Sequence, residues 1–306
     1  MMVTRTPQTT DAGPQPRPRQ RWRSAERTSP LGKAQLYRHL MLIALASVMF
    51  YPLAWMLGAS FRDDSQINNP GFWPGAYFTL DGYIDGWAGV SGVPFWRFIL
   101  NSILVATLCV IANVVACSLT AYAFARIDFT FKRVWFAIML GTLMLPHHVI
   151  LIPQYILFRQ VDWINTYLPF VIPKLLATDA FFIFLLVQFF RAIPRELDEA
   201  AKIDGGGHLT IFLKVILPLS KPALATTAIF TFIYSWNDFF TPLIYLTDTT
   251  LYTVPLALRS FIDATSYSAF GALFAMSVIS LLPVLGVFIA FQRLLVEGIA
   301  TSGLKG

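Results

Sequence analysis

Charge is scarce in this chain. Only 13% of its residues are Asp, Glu, Lys or Arg, against roughly 25% in a soluble globular protein. Hydrophobic residues make up 56% and mean hydropathy is +0.60. Spread over several separate runs, this is more apolar surface than one water-soluble core would bury, so a soluble enzyme is excluded first. Cysteine is nearly absent too. Cys109 and Cys117 stand in one apolar run, about 12 Å apart on a helix, too far to bridge within it. No ligand-spaced Cys or His cluster occurs, which argues against a zinc or disulfide framework. H-E-x-x-H and G-x-S-x-G patterns are missing as well. So is G-x-x-x-x-G-K-[ST], and without that phosphate cradle the chain cannot hydrolyse ATP by the usual route.

The net charge of +6 lies at one end. Residues 1–39 hold eight Lys and Arg against Asp11 and Glu26, leaving fifteen of each sign for the rest. The Pro-, Arg-, Thr- and Gln-rich stretch 1–38 has too few aliphatics to offset the entropy of ordering and reads as a disordered basic tail. Its run Arg17, Arg19, Arg21 and Arg23 suits a cytoplasmic topology signal better than a nucleic-acid contact.

Apolar windows long enough to cross about 30 Å of hydrocarbon occur near 39–61, 98–124, 134–157, 167–190, 223–246 and 271–295. The first is too long for a signal peptide. Continuous apolar sequence, without two-residue alternation, predicts helices rather than a barrel. The expected fold class is therefore all-α, a polytopic membrane domain of six helices over 39–306. Six spans put both termini on one side. Assigning that side to the cytoplasm leaves eighteen Lys and Arg inside and only Arg62, Arg97, Arg159 and Arg259 outside, with Lys174 within the fourth span. Prolines 52, 146, 153, 169, 173, 242 and 283 fall in or beside the spans. They suit helices that move during transport, although proline is common in membrane helices generally.

One segment departs from the rest, the loop 191–222. Pro194 can open a short helix whose first turns carry Glu196, Asp198 and Glu199, and Gly205 to Gly207 stop it. Leu197, Ala200, Ala201 and Asp204 share a face by three- and four-residue spacing, and Asp204 spoils that stripe for lipid. The helix either docks in a protein groove or simply connects two spans along the interface.

The pattern Glu199-Ala200-Ala201-x-x-Asp204-Gly205, followed by Phe212, Ile216, Leu217, Pro218 and Pro222, resembles the EAA motif of ABC importer permeases. Phe181-Phe-Ile-Phe-Leu, Ser235-Trp-Asn-Asp-Phe, Tyr252-Thr-Val-Pro and the ending Glu297-Gly-Ile-Ala-Thr-Ser-Gly-Leu-Lys-Gly306 look like the maltose-type carbohydrate branch. The likeness spans about residues 35–306. Gly206 departs from it, since the family usually has Ala there; a looser helix end is expected.

The resemblance implies a type I importer permease fold. Glu199, Ala200, Ala201, Asp204, Gly205 and Gly206 would form a coupling helix seated in a cytoplasmic ATPase, with Leu217 and Pro218 holding the second half of the loop. It implies as partners a second homologous permease, two ATPase subunits that use ATP and Mg, and an extracytoplasmic sugar-binding protein facing loops 62–97 and 247–270. The C-terminal tail would touch the ATPase pair. Lipid surrounds the chain, and no nucleic acid, metal or cofactor is expected on it. Polar groups at membrane depth are costly and mark a candidate substrate path: Asp179, Trp236, Asn237 and Asp238, whose aromatic and acceptor groups suit sugar hydroxyls. Helix packing is the plainer use for all four. Lys174 would pair with Asp179 or snorkel. His147 and His148 follow Pro146 and suit a kink better than a proton relay. An ion-coupled secondary transporter is the alternative, drawing on the same Asp179, Lys174 and histidines.

Overall fold

The computed structural model describes residues 33–67, 75, 78–263 and 269–303, without the side chains of 33, 34, 147, 148, 263 and 293–303. Residues 1–32 and 304–306 lie outside it. The expectation of a disordered tail therefore falls outside the description up to residue 32, and the helix α1 (Lys33–Ala59) begins six residues before the expected span. Two compact units divide within α1, up to Phe50 and from Tyr51 onward. In the first, Leu36, Leu40, Ile43 and Met49 are exposed apolar side chains on one helix, as a surface facing hydrocarbon or other apolar helices requires.

In the second unit a short helix α2 (Asp81–Ala88) precedes α3 (Phe95–Arg126), a continuous helix of 32 residues. Then come α4 (Lys132–Thr142), α5 (His147–Gln160), α6 (Leu168–Leu175), α7 (Ala180–Ala192) and α8 (Glu196–Ile203). The chain continues through α9 (His208–Ile211), α10 (Leu217–Leu219), α11 (Lys221–Asn237), α12 (Phe240–Tyr245), α13 (Val254–Asp263) and α14 (Phe270–Gly303).

Four helical stretches among the described residues are long and apolar enough to cross a membrane alone, five if the bent pair His208–Leu219 and Lys221–Asn237 is one span. Six spans were expected, several of them kinked by proline, and three of them are interrupted helices. The expected span 134–157 is two helices separated at residues 143–146, where Pro146 cannot extend α4. The expected span 223–246 is broken between Asn237 and Phe240, just before Pro242. In the fourth, Leu168–Ala192 qualifies as a span, yet its helix is interrupted at 176–179, where Ala177 has φ +57°.

Small side chains on α3 let its neighbours approach. Ala106, Cys117 and Ala121 are fully buried, and α6, α7 and α11 all pack against this helix. One core joins Tyr122 and Phe124 of α3 to Phe182, Leu186 and Phe190 of α7 and to Ile211, Phe212 and Ile216 beyond α8. A second gathers Phe95 and Phe98 with Trp236, Val254 and Met276. Across the α3–α11 contact the fully buried Asn113 donates to Thr231 Oγ1 at 2.8 Å and accepts from the Cys117 thiol at 3.1 Å. Both cysteines are free and buried. Where α2 meets α14, a Cβ on Gly82 would come within 2.7 Å of the Gly271 backbone, the close approach that small residues permit between apolar helices.

The end of the bundle away from α8 is tied by loop bonds. Asn101 Nδ2 donates to the carbonyls of Thr250 and Tyr252, and the Val254 N–H donates to Ser102 Oγ at 2.8 Å. Asn165, at φ +62°, accepts from the N–H groups of Thr247 and Asp248. The Thr250 hydroxyl and N–H both donate to Asp248, which holds that carboxyl below its usual range.

Candidate functional site

After α7 the chain leaves the apolar core at Arg191, and Pro194 starts a turn that α8 continues. Glu196, Asp198 and Glu199 fill its first turn, where the helix dipole favours negative charge. Its end is a Schellman turn. The Gly206 N–H donates to the Ala201 carbonyl and the Gly205 N–H to that of Lys202, with Gly205 at φ +81°. A Cβ on Gly206 would lie 2.7 Å from the Ala201 carbonyl oxygen. The departure at Gly206 therefore closes this helix end tightly instead of loosening it.

The two faces of α8 differ. Leu197, Glu199, Ala200 and Asp204 are exposed, and Ile203 is 86% exposed. Asp198 is buried and Ala201 packs against the core of α3 and α7. Ala201 thus stands apart from Leu197, Ala200 and Asp204, with which its spacing groups it; a helical stripe is wide, and which edge turns inward is decided by packing. Asp198 is the residue that spacing alone missed. Its Oδ2 lies 3.3 Å from Nε of Arg126, the last residue of α3, and the Arg126 side chain is 3% exposed. The geometry is a charge contact, not a directed hydrogen bond, since Nε has no hydrogen-bond acceptor while Nη2 donates to the Ile193 carbonyl at 2.7 Å. One guanidinium thereby ties the end of α3 to both the start and the inner face of the α8 segment.

The return to the membrane is equally built. Pro218 has no N–H for the Lys214 carbonyl, and the turn Phe212–Ile216 widens into a π turn whose following N–H, on Leu217, reaches back to Phe212. Leu217 packs on the core, Pro218 is exposed, and the axis then bends by 78° into α11. Helix α8 and this bent segment form a bracket held to the bundle end through Arg126 and the shared core.

A second feature is a cavity of about 540 Å³ between α3, α5, α6, α11 and α12. Lys174 and Asp179 both line it, paired at 2.7 Å and each a quarter exposed. Five positions apart on an unbroken helix they would point about 140° from one another; the break between α6 and α7 is what brings them together. Asp238 faces the same cavity and caps α12 by accepting from the Thr241 N–H. Of the expected path residues, Asp179 and Asp238 meet here. Trp236 does not: it is 3% exposed, stacked on Phe232 in the second core, and Asn237 is turned back onto the Ile233 carbonyl. Gln154, Thr178, Ser235 and Thr241 supply the other polar lining. Single hydroxyls and amides in apolar runs carry no distinguishing spacing, so sequence reasoning passed over them. Among the described residues no group of three His, Cys, Asp or Glu comes together as a metal site.

Comparison with known proteins places these features in a family. The model of the binding-protein-dependent transport system inner membrane component matches residues 114–300. The arabinooligosaccharides transport system permease protein AraQ of Halalkalibacterium halodurans is 32% identical over 284 residues, 92% of this chain and 99% of that protein. The trehalose/maltose transport system permease protein MalG of Thermococcus litoralis is 31% identical, covering 86% and 94%. The sn-glycerol-3-phosphate transport system permease protein UgpE of Salmonella typhi is 30% identical, covering 87% and 96%. In structure, a chain of a bacterial ABC transporter that imports the acidic polysaccharide alginate superposes with a TM-score of 0.75 at 23% identity, covering 87% of this chain and 98% of that one. The chain belongs to the family of binding-protein-dependent transport system inner membrane components.

Proposed function

We propose that the chain is the membrane permease subunit of an ATP-driven, binding-protein-dependent sugar importer. It is a transport subunit and not an enzyme, and ATP and Mg belong to a separate ATPase. The observation that carries this reading is the exposed face of α8 on a bracket fixed to the end of α3. A helix that merely connected two spans along the interface would have no need to turn Glu199, Asp204 and Ile203 outward together while holding Asp198 against Arg126. Glu199, Ala200, Asp204, Gly205 and Gly206, with Ile203 beside them, form the surface offered to the ATPase. Ala201, Leu217 and Pro218 brace it.

The mechanism follows from rigidity. Closure of two ATPases would draw two such brackets together, and each would turn its permease as a rigid body between inward-open and outward-open states. A second, homologous permease completes the path, and the binding protein delivers sugar to the loops at the opposite end. Six crossings result when α4 with α5, α6 with α7, and α11 with α12 each count as one broken crossing, and the Lys and Arg asymmetry puts both termini in the cytoplasm. The cavity holding Asp179, Asp238 and Gln154 forms this subunit's share of the substrate path, its acceptors matching sugar hydroxyls.

Glu199→Lys and Asp204→Lys test the coupling role. Both variants are expected to reach the membrane at normal levels while ATP-driven uptake falls to background and ATP hydrolysis no longer responds to binding protein. Normal uptake by both would overturn the assignment.

A further inference from the structure

Beside the bracket lies a cavity of about 510 Å³ with a different chemistry. Its lining includes Arg126, Lys132, Arg133, Arg191 and Arg195, with Asp128 the one carboxylate among them. Three of the cations are committed. Arg126 is held by Asp198 and the Ile193 carbonyl, Lys132 by Asp128 and the Ile127 carbonyl, and Arg191 sits over the Phe136 ring, 5.3 Å from its centre, donating to the Phe124 carbonyl. No carboxylate or carbonyl among the described residues takes the guanidinium of Arg133 or Arg195, and both are exposed at the cavity mouth. Arg133 comes from α4 and Arg195 from the residue just before α8, and with Arg191 they line a concave, positively charged site.

We propose that this cavity binds a phosphate-bearing anion, presented as the headgroup of an anionic phospholipid. Planar guanidinium groups match phosphate oxygens two at a time, which lysine cannot do. The source is fixed by the surroundings. The cavity sits where the apolar helices α3 and α7 end and α4 begins, and the turn that carries Lys132 and Arg133 exposes Phe131, Val134 and Trp135, side chains suited to the headgroup and acyl boundary. A soluble phosphate would have no use for that apolar rim. Because Arg126, which holds Asp198, and Arg195, the residue before α8, both line the cavity, a bound headgroup would lie against the base of α8. The site needs no transport activity to exist; it requires only that these three helix ends meet the membrane surface.

The test is equilibrium binding of fluorescent phosphatidylglycerol to the full-length protein in detergent, with phosphatidylcholine and inorganic phosphate as competitors. Phosphatidylglycerol is expected to bind the protein and to resist displacement by either. Arg133→Gln together with Arg195→Gln is expected to weaken it about twenty-five-fold, a factor of about five for each cation removed near a membrane surface. Lys214→Gln, which removes a cation outside the cavity, leaves binding unchanged. If the double variant does not fold, Arg133→Gln alone carries the fivefold arm. Equal binding by parent and Arg-to-Gln variants overturns the site, as does displacement by phosphatidylcholine. Displacement by inorganic phosphate overturns the lipid assignment in favour of a free anion.

Discussion

Arg126 is the residue on which the account makes its sharpest local claim. Its side chain is buried at 3% exposure and Asp198 at 12%, so removing the cation strands a carboxylate in a poorly solvated place. Arg126→Met is expected to cost about 3 kcal/mol, whereas Arg126→Met combined with Asp198→Leu recovers most of it, because an apolar pair replaces the ion pair without leaving a charge behind. Thermal unfolding of the purified single and double variants checks this, and equal losses in both would mean the pair is incidental. Gly205 carries a smaller effect. At φ +81° an alanine pays about 1 kcal/mol for the left-handed conformation, so Gly205→Ala should raise amide exchange at the end of α8 about fivefold, read by mass spectrometry. Unchanged exchange there would contradict the Schellman ending.

At the scale of the element, the two faces of α8 should respond oppositely. Ala201→Trp forces bulk into the core packed by Phe190 and Ile216 and is expected to destabilise the protein by about 2 kcal/mol. Ala200→Trp and Ile203→Asp point outward, leave thermal stability unchanged, and abolish recovery of the ATPase with the purified chain. Thermal melts and pull-downs of the same three variants separate the faces; an Ala201 variant that melts normally would refute the inward placement. The existence, start and glycine stop of this helix were legible in the sequence because capping and dipole rules are local. Its orientation was not, since it depends on Arg126, more than seventy positions earlier in the chain. The apolar runs were legible likewise, but the breaks at Pro146, Ala177 and Asp238 were not, because proline is tolerated inside some membrane helices, such as α14 with Pro283, and ends others. Pairing of Lys174 with Asp179 was one of the two expectations for that lysine, but the cavity they line was hidden by the same limit, because they meet across an interruption of the helix. Trp236, a candidate for the substrate path with helix packing as the plainer use, is core by packing.

We propose that a bundle whose interior is tied by α3, with interrupted apolar helices and a bracket at one end, converts force applied outside the membrane into rearrangement of the path within it. The central claim is that this force comes from a separate ATPase. The most direct measurement is sugar accumulation in proteoliposomes holding this chain, its partner permease and the ATPases, with binding protein outside and ATP sealed inside, set against vesicles holding this chain alone under an ion gradient. Accumulation that requires ATP, the ATPases and an intact Glu199 is the predicted result. Accumulation by the isolated chain, driven by the ion gradient without nucleotide, would contradict it.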